Sequence, residues 1–574
     1  MGEWCQTDGI ALRRSAAFLK ELNRGANRCS RGQTVEFADE YHIGKSNQDA
    51  YVATVYERLG RDERLRLVLS SATMDLEALR QYFAAFSVNH VHIEGQMFPV
   101  RQEHVLGTTL EVIMEYFPKV APGKKMMVLE AGKGEIRELR KVLLKYYDQK
   151  QILELHSQVP HAMQDAVKFR YPYPVLILAT GIARDSNTYP GLVTLYDSCR
   201  KREPVLYGEH CMHEGLVTAE ISKAEFDQAR GRLGRIEEDS PGLHLYAIAR
   251  DDLSFDYPQR EVEYCALDGM NLRLKVDGNV HPNDLHFFVA PSRQGVIQAD
   301  DRLVRIGCYD LDHEPTALGK RAAAMPTSPQ NAVMGLYVGD REPNLAWFGF
   351  VLAGNQEMGG MLLPGNPKGK ALAKDKVASD FLRDILLYLR CLELRAEGQS
   401  ENWFYENGID YKAFCKQVEI VEKICKVENC SPFDQDHLNG LEGRRREKFL
   451  ERLADLANEA FLAGYPENLF VAVGNKRGKR QFAEAHQQGL IFELSRDSSV
   501  DRASLLVIGR THTFDKDNPV VCDASKRRLC AASGVPLESL LNVYGSGFLH
   551  AIHKQAIDAA DDLRYVNRPR SRRR

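Results

Sequence analysis

Asp39-Glu40-Tyr41-His42 follows directly on the short stretch Val35 to Ala38, and Ser71-Ala72-Thr73-Met74-Asp75 follows directly on a more apolar one, Leu65 to Ser70. Paired acids behind one strand can hold a magnesium ion and orient a water, and small hydroxyls behind the next can sense the state of a phosphate. A third stretch, Gln228-Ala229-Arg230-Gly231-Arg232-Leu233-Gly234-Arg235, spaces its arginines by small residues. Several guanidinium forks on one face suit charge that develops on a transferring phosphoryl group. Taken alone, Asp39 and Glu40 more often cap the helix that follows. The arginine stretch shifts the balance toward phosphate chemistry.

Such side chains act together only if strands deliver them to one edge. In an α/β sheet, ligands meet the carboxyl ends of parallel strands, and both short runs place their polar residues there. From Val105 to about Arg250 strand, loop and helix alternate, which predicts a second α/β lobe, with Val175 to Ala179 as a buried strand. The polar excursion from Asp197 to Val217 predicts a hairpin. Beyond Asp251 the periodicity turns helical. Val262 to Val276 reads as one amphipathic helix, and Asp380 to Leu394 and Asp410 to Val427 as two more, with Lys368 to Lys376 as a lysine-rich loop. The aromatic stripe Trp403-Phe404-Tyr405 reads as core rather than as a base-stacking surface. Leu469 to Ile508 alternates apolar and polar residues, which suits a small β-barrel. The basic loop Lys476, Arg477, Lys479 and Arg480, beside Phe482, fits either single-stranded RNA or a solvated hairpin tip.

A chain of 574 residues holds several domains. Its net charge of −3 announces no nucleic-acid binder, so any such binding rests on local patches. The 12 cysteines include no C-x-x-C pair, which argues against zinc ribbons and disulfide scaffolds. No apolar run approaches a membrane span and no leader peptide is visible, which predicts a cytoplasmic protein without membrane partners.

ADEYH, LSSATMD and QARGRLGR resemble motifs II, III and VI of the DEAH-box RNA helicases, in family order. The resemblance implies two RecA-like lobes, the first truncated, then winged helix, ratchet-like helical bundle and OB-fold-like barrel. The implied boundaries are 1–104, 105–250, 251–321, 322–465 and 466–548, with a helix and basic tail at 549–574. It also implies ATP or another NTP, Mg2+ and single-stranded RNA as ligands. By resemblance, Asp39 holds the magnesium through water, Glu40 polarises the attacking water, Gln228 helps position it, and Arg232 and Arg235 act as arginine fingers. His42, Ser71 and Thr73 belong to the nucleotide site and its coupling to lobe closure, and Phe169 stacks on adenine. Thr7 and Asp8, in a stretch resembling motif Ib, and Thr180 and Thr188, in one resembling motif V, contact RNA.

The sequence departs from the family at several points. Tyr41 stands where the family has a small residue, and either displaces the neighbouring acid or points away. Ala229 replaces an Arg, and Gly181, Arg184 and Asp185 replace motif V residues. No G-x-x-x-x-G-K-[ST] loop occurs, so the resemblance predicts a helicase seen without its phosphate cradle, with a separate amino-terminal helicase fragment as a partner. A non-catalytic RNA-binding relative and an interaction scaffold are the alternatives.

Overall fold

The computed structural model describes residues 5–7, 10–12, 34–71, 73, 75–91, 98–184, 187–207, 213–363, 366–373, 377–430, 440–476, 479–485, 490–495, 498–500, 504, 506–514, 527–536, 539–540 and 542–543. Asp8, Asp185, Arg477 and the tail 549–574 lie outside them, as do the side chains of Thr7, Lys476, Lys479 and Arg480. The chain divides into two compact units. The first comprises Met1–Pro204, Val217–Cys265 and Pro282–Ser292, and the second Val205–Leu216, Ala266–His281 and Arg293–Arg574.

The first unit begins with two short antiparallel strands, β1 (Cys5–Thr7) and β2 (Ile10–Leu12). β3 (Thr34–Ala38) and β4 (Leu65–Leu69) then pair in parallel, Ala38 opposite Leu69. The helix Ser46–Leu59 joins them, with Asp49 in its first turn and Arg58 in its last, signs that complement the helix dipole. A second, six-stranded sheet contains β5 (Val100–His104), β6 (Lys125–Leu129), β7 (Ile152–Leu155), β8 (Val175–Ala179), β9 (Leu192–Asp197) and, after the hairpin below, β12 (Gly242–Tyr246). Their order is β5-β12-β9-β6-β8-β7, and every pair is parallel. β6 and β8 are buried at every residue. Because side chains alternate across a strand, Met126 and Val128 enter one core while Met127 and Leu129 enter the core on the other face. β5 (Val100–His104) pairs with β12 and so belongs to this sheet. The excursion after Asp197 is a hairpin, β10 (Arg200–Tyr207) and β11 (His213–Glu220).

The second unit carries helices Asp268–Gly278, Arg293–Arg305, Pro329–Arg341, Ala346–Met358, Asp380–Ala396, Tyr411–Val427 and Gly443–Gly464 around one core. The single helix expected from Val262 to Val276 is two, Glu261–Tyr264 and Asp268–Gly278. Cys265 is extended (φ −91, ψ 165), and Asp268 is fixed at a new start by Arg302, whose Nε and Nη2 reach its carboxylate at 2.8 and 2.7 Å. The expected lysine-rich loop contains the short helix Pro367–Ala371, because Asn366 accepts from Lys368 N (3.0 Å) and Pro stands at its first position. Phe404 is fully buried and stacks on Phe414 at 5.9 Å, so the aromatic stripe does serve the core. Cys425 and Cys430 are unbridged and pack beside that core.

β13 (Leu469–Lys476), β14 (Lys479–Glu484), β15 (Ile491–Leu494), β16 (Leu506–Phe514) and β17 (Arg527–Gly534) run in the order β16-β13-β14-β15-β17, and β17 pairs back on β16. The ring closes around Phe470, Phe482, Phe492, Val507 and Leu529. The last barrel strands extend beyond the alternating stretch Leu469 to Ile508. Among the described residues, no helix is long and apolar enough to cross a membrane.

Candidate functional site

Because Ala38 and Leu69 are paired, Asp39 and Ser70 leave the sheet side by side. Ser70 Oγ donates to Asp39 Oδ1, which also accepts from Glu40 N at 3.0 Å. Gln48 Nε2 donates to the Asp39 carbonyl at 2.7 Å and closes the turn from the following helix. Glu40 occupies the left-handed region (φ 51, ψ 41), a conformation that costs a non-glycine residue about 1 to 3 kcal/mol and persists only where the surroundings impose it. They do so here: Tyr41 N donates to Ser70 O at 3.1 Å, and Tyr41 O accepts from Arg260 Nη2 at 3.1 Å.

The Glu40 carboxylate meets His42, with Oε2 3.3 Å from Nδ1. The same Nδ1 lies 2.7 Å from Ser71 Oγ. Ser71 Oγ donates to Thr73 O (2.8 Å) and accepts from Thr73 N (3.1 Å). Gln228 Nε2, 155 residues away in sequence, donates to Thr73 Oγ1 at 3.1 Å. Polar contacts thus run without a break from the end of β3, through the end of β4, to the helix Lys223–Arg230 beside the six-stranded sheet. Six of the residues singled out in the sequence (Asp39, Glu40, His42, Ser71, Thr73 and Gln228) belong to this one assembly.

Arg232 and Arg235 converge on another point. Arg232 Nη1 donates to Asn187 O at 3.2 Å. Arg235 Nη1 reaches Asn187 O at 3.3 Å and Thr188 Oγ1 at 3.4 Å, while its Nε donates to Gly231 O at 2.7 Å. Thr188, expected to touch RNA, therefore stands against an expected arginine finger. Gly234 makes the bend possible: its φ is +65 and an added Cβ would overlap the Phe98 carbonyl. Among the described residues Arg235 has no carboxylate partner, and burial lowers its pKa below the ordinary arginine value. Thr180 follows β8 and is half-buried, its N–H held by Leu155 O at 3.1 Å. Phe169 presents a ring that is 61% exposed. Lys476 and Lys479 are backbone partners at the end of the β13–β14 pair.

The departures from the family pattern have distinct outcomes. Tyr41 points into the core, 2% exposed, with the Arg260 guanidinium 4.3 Å from its ring centre and Phe288 at 6.1 Å; the neighbouring Glu40 side chain stays 39% exposed. Ala229 is fully buried in one of the sheet's cores with Leu233, a place where an arginine would lose its water. Arg184 is buried and donates from Nη2 to both oxygens of Asp197, at 2.9 and 3.1 Å. Burial alone would lower its pKa, but the Asp197 charge raises it above the ordinary value.

Sequence reasoning missed Arg260. Its Nε meets both Asp49 oxygens at 2.8 and 2.9 Å and its Nη2 meets Oδ1 at 2.5 Å. Only the acid in the first turn of Ser46–Leu59 hinted that a buried partner was needed, and nothing local named the partner.

No family model matches the chain. Curated relatives do. It is 27% identical over 317 residues to the probable ATP-dependent RNA helicase DHX34 of Homo sapiens, a match covering 51% of this chain and 27% of that protein. The Mus musculus protein of the same name gives the same figures. A probable ATP-dependent RNA helicase DHX35 homolog of Caenorhabditis elegans is 23% identical over 322 residues, covering 51% of this chain and 43% of that protein. The matched stretch spans less than half the length of each relative.

Proposed function

We propose, from the premise that this chain is a relative of the DEAH-box ATP-dependent RNA helicases, that it is the RNA-engaging and nucleotide-sensing part of an RNA-remodelling helicase. The observation that carries the reading is the hydrogen-bond chain from Glu40 through His42, Ser71 and Thr73 to Gln228. A water-orienting acid linked through two hydroxyl residues to a second lobe is what coupling of phosphate state to lobe position requires.

The residues fit one end of a nucleotide. Among the described residues Asp39 Oδ2 has no protein partner, while Oδ1 is held by Ser70 and the Glu40 amide. One oriented carboxylate oxygen suits a cation held through water. When bound, ATP and Mg2+ would supply the transferable phosphoryl group and its charge neutralisation. In this reading Glu40 orients the water, Gln228 positions it, Arg232 and Arg235 face the developing charge, and Phe169 takes the adenine. The 574 residues contain no G-x-x-x-x-G-K-[ST] loop. Hydrolysis therefore draws its phosphate cradle from residues outside this stretch, for which a separate amino-terminal helicase fragment is one source. The same observation favours a second reading, a relative that binds RNA without hydrolysing nucleotide.

By the same kinship the two parallel sheets are the RecA-like lobes, and residues 251–321, 322–465 and 466–548 are winged helix, ratchet-like bundle and OB-fold-like barrel. RNA would run past Thr7, Asp8, Thr180 and Thr188 to the barrel's basic tip, with the protein acting in the cytoplasm. Anisotropy titrations of labelled single-stranded RNA at several salt concentrations test this. The parent should bind with little sequence preference and weaken as salt rises. Reversing charge at Lys476, Arg477, Lys479 and Arg480 together should flatten the salt slope by about 0.7 per lost phosphate contact. An unchanged slope would return the tip to a solvated hairpin.

A further inference from the structure

The first unit holds a cavity of about 500 Å³ beside the residues of the nucleotide reading. Its walls come from the helix Leu76–Tyr82 and from residues 257–263 and 286–289, and neither Asp39, Glu40, Gln228 nor the Arg232–Arg235 pair lines it. His42 and Thr73, which also belong to the hydrogen-bond chain, do. The volume falls within the range of small-molecule sites, which join apolar and aromatic walls to a few placed polar groups.

One wall is aromatic and rigid. Tyr82 stacks on His286 with centroids 5.1 Å apart and planes 7° from parallel, and Phe288 meets Tyr82 edge-on at 5.6 Å. Tyr82 Oη donates to the His286 carbonyl at 2.6 Å, which fixes the ring. The polar groups are unbalanced in charge. Asp75 Oδ1 accepts from Ala78 N at 2.9 Å and Glu263 Oε2 from Arg260 N at 2.9 Å; among the described residues the second oxygen of each has no partner. Arg260, the lining's arginine, is already met by Asp49. The excess is negative, and the Tyr257 phenol registers it: burial first, then the Asp75 charge, raises its pKa.

We propose that this cavity binds a small flat aromatic ligand carrying a cationic or amino-substituted edge, its ring against Tyr82 and Phe288 and its N–H groups toward Asp75 and Glu263. Ring stacking and the negative ring face both favour such a ligand, and a carboxylate pair rejects an anionic one. Because His42 and Thr73 form part of the wall, an occupant would bear on the Glu40-to-Gln228 chain. That consequence rests on the nucleotide reading; binding itself does not.

Three probes of one ring system separate the terms: 2-naphthamidine, neutral 2-naphthamide and anionic 2-naphthoate, titrated calorimetrically and by saturation-transfer NMR into the full chain. The amidine should bind best and the naphthoate at least about tenfold more weakly. Asp75→Asn with Glu263→Gln should weaken the amidine about tenfold and leave the amide unchanged; both substitutions keep side-chain size, and Asn still caps the helix. Ala78→Trp, which fills the cavity, should remove all binding. Equal affinity of the three probes, amidine binding unaffected in the double variant, or no saturable amidine binding by about 1 mM would overturn the proposal. Turnover of Arg235→Ala in a protein supplied with its phosphate cradle, measured separately, tests the nucleotide reading without touching this site.

Discussion

Three arginines of the first unit are held in two opposite ways. Arg260 and Arg184 are buried and each is gripped by a buried carboxylate, Asp49 or Asp197. Arg235 meets only carbonyl and hydroxyl oxygens among the described residues. A buried guanidinium without a carboxylate would cost several kcal/mol, so the first arrangement is what a scaffold needs. The second leaves charge that a phosphate can take, at the price of some local stability. Function and stability are thus assigned to different arginines, although all three lie in one unit.

The largest expected effect is on the scaffold side. Arg260→Ala leaves Asp49 buried and uncompensated, removes the cap on the Tyr41 carbonyl and strips the cation from the Tyr41 and Phe288 rings. Denaturant unfolding should register a loss of about 3 to 5 kcal/mol; a change under about 1 kcal/mol would mean that Asp49 simply protonates or hydrates.

His244 sharpens the contrast between met and unmet polarity. It is fully buried, with no partner for either ring nitrogen among the described residues, and burial brings its pKa down to about 4. The folded value lies below the unfolded one of about 6.5, so the unfolded chain binds the proton first. Stability should fall by roughly 1.4 kcal/mol per pH unit as pH drops from about 6.5 toward 4, and level off below. His244→Phe should flatten that segment of a stability-versus-pH curve, and an unaltered slope would assign it to other groups.

Gln228→Ala tests the link between the lobes. One partly buried hydrogen bond to Thr73 is worth about 0.5 to 1.5 kcal/mol, and hydrogen exchange of the Ser71–Thr73 amides should rise accordingly. No rise would leave the contact incidental.

Arg235→Ala should change stability least, within about 0.5 kcal/mol. In a protein supplied with its phosphate cradle, the same variant should lose about a thousandfold in turnover. If Arg235→Ala instead destabilised the fold as much as Arg260→Ala, the division between the two kinds of arginine would fail.

Much of the framework was legible because it depends on short-range pattern. Short continuous apolar runs bounded by turn residues, such as Val175–Ala179, fit buried strands, and polar residues at their carboxyl ends fall at the sheet's ligand edge. The hairpin after Asp197, the helices from Asp380 and Asp410, and the barrel strands follow from the same periodicities. What the sequence could not determine depends on partners far along the chain. The Gln228–Thr73 bond, the Arg260–Asp49 and Arg184–Asp197 pairs, the break at Cys265 and the closure of β17 on β16 each join residues that no local signal relates. Periodicity reports which face of an element is buried; only the packed structure decides which charge or ring lies across from it, because that choice is made by desolvation and geometry at the point of contact.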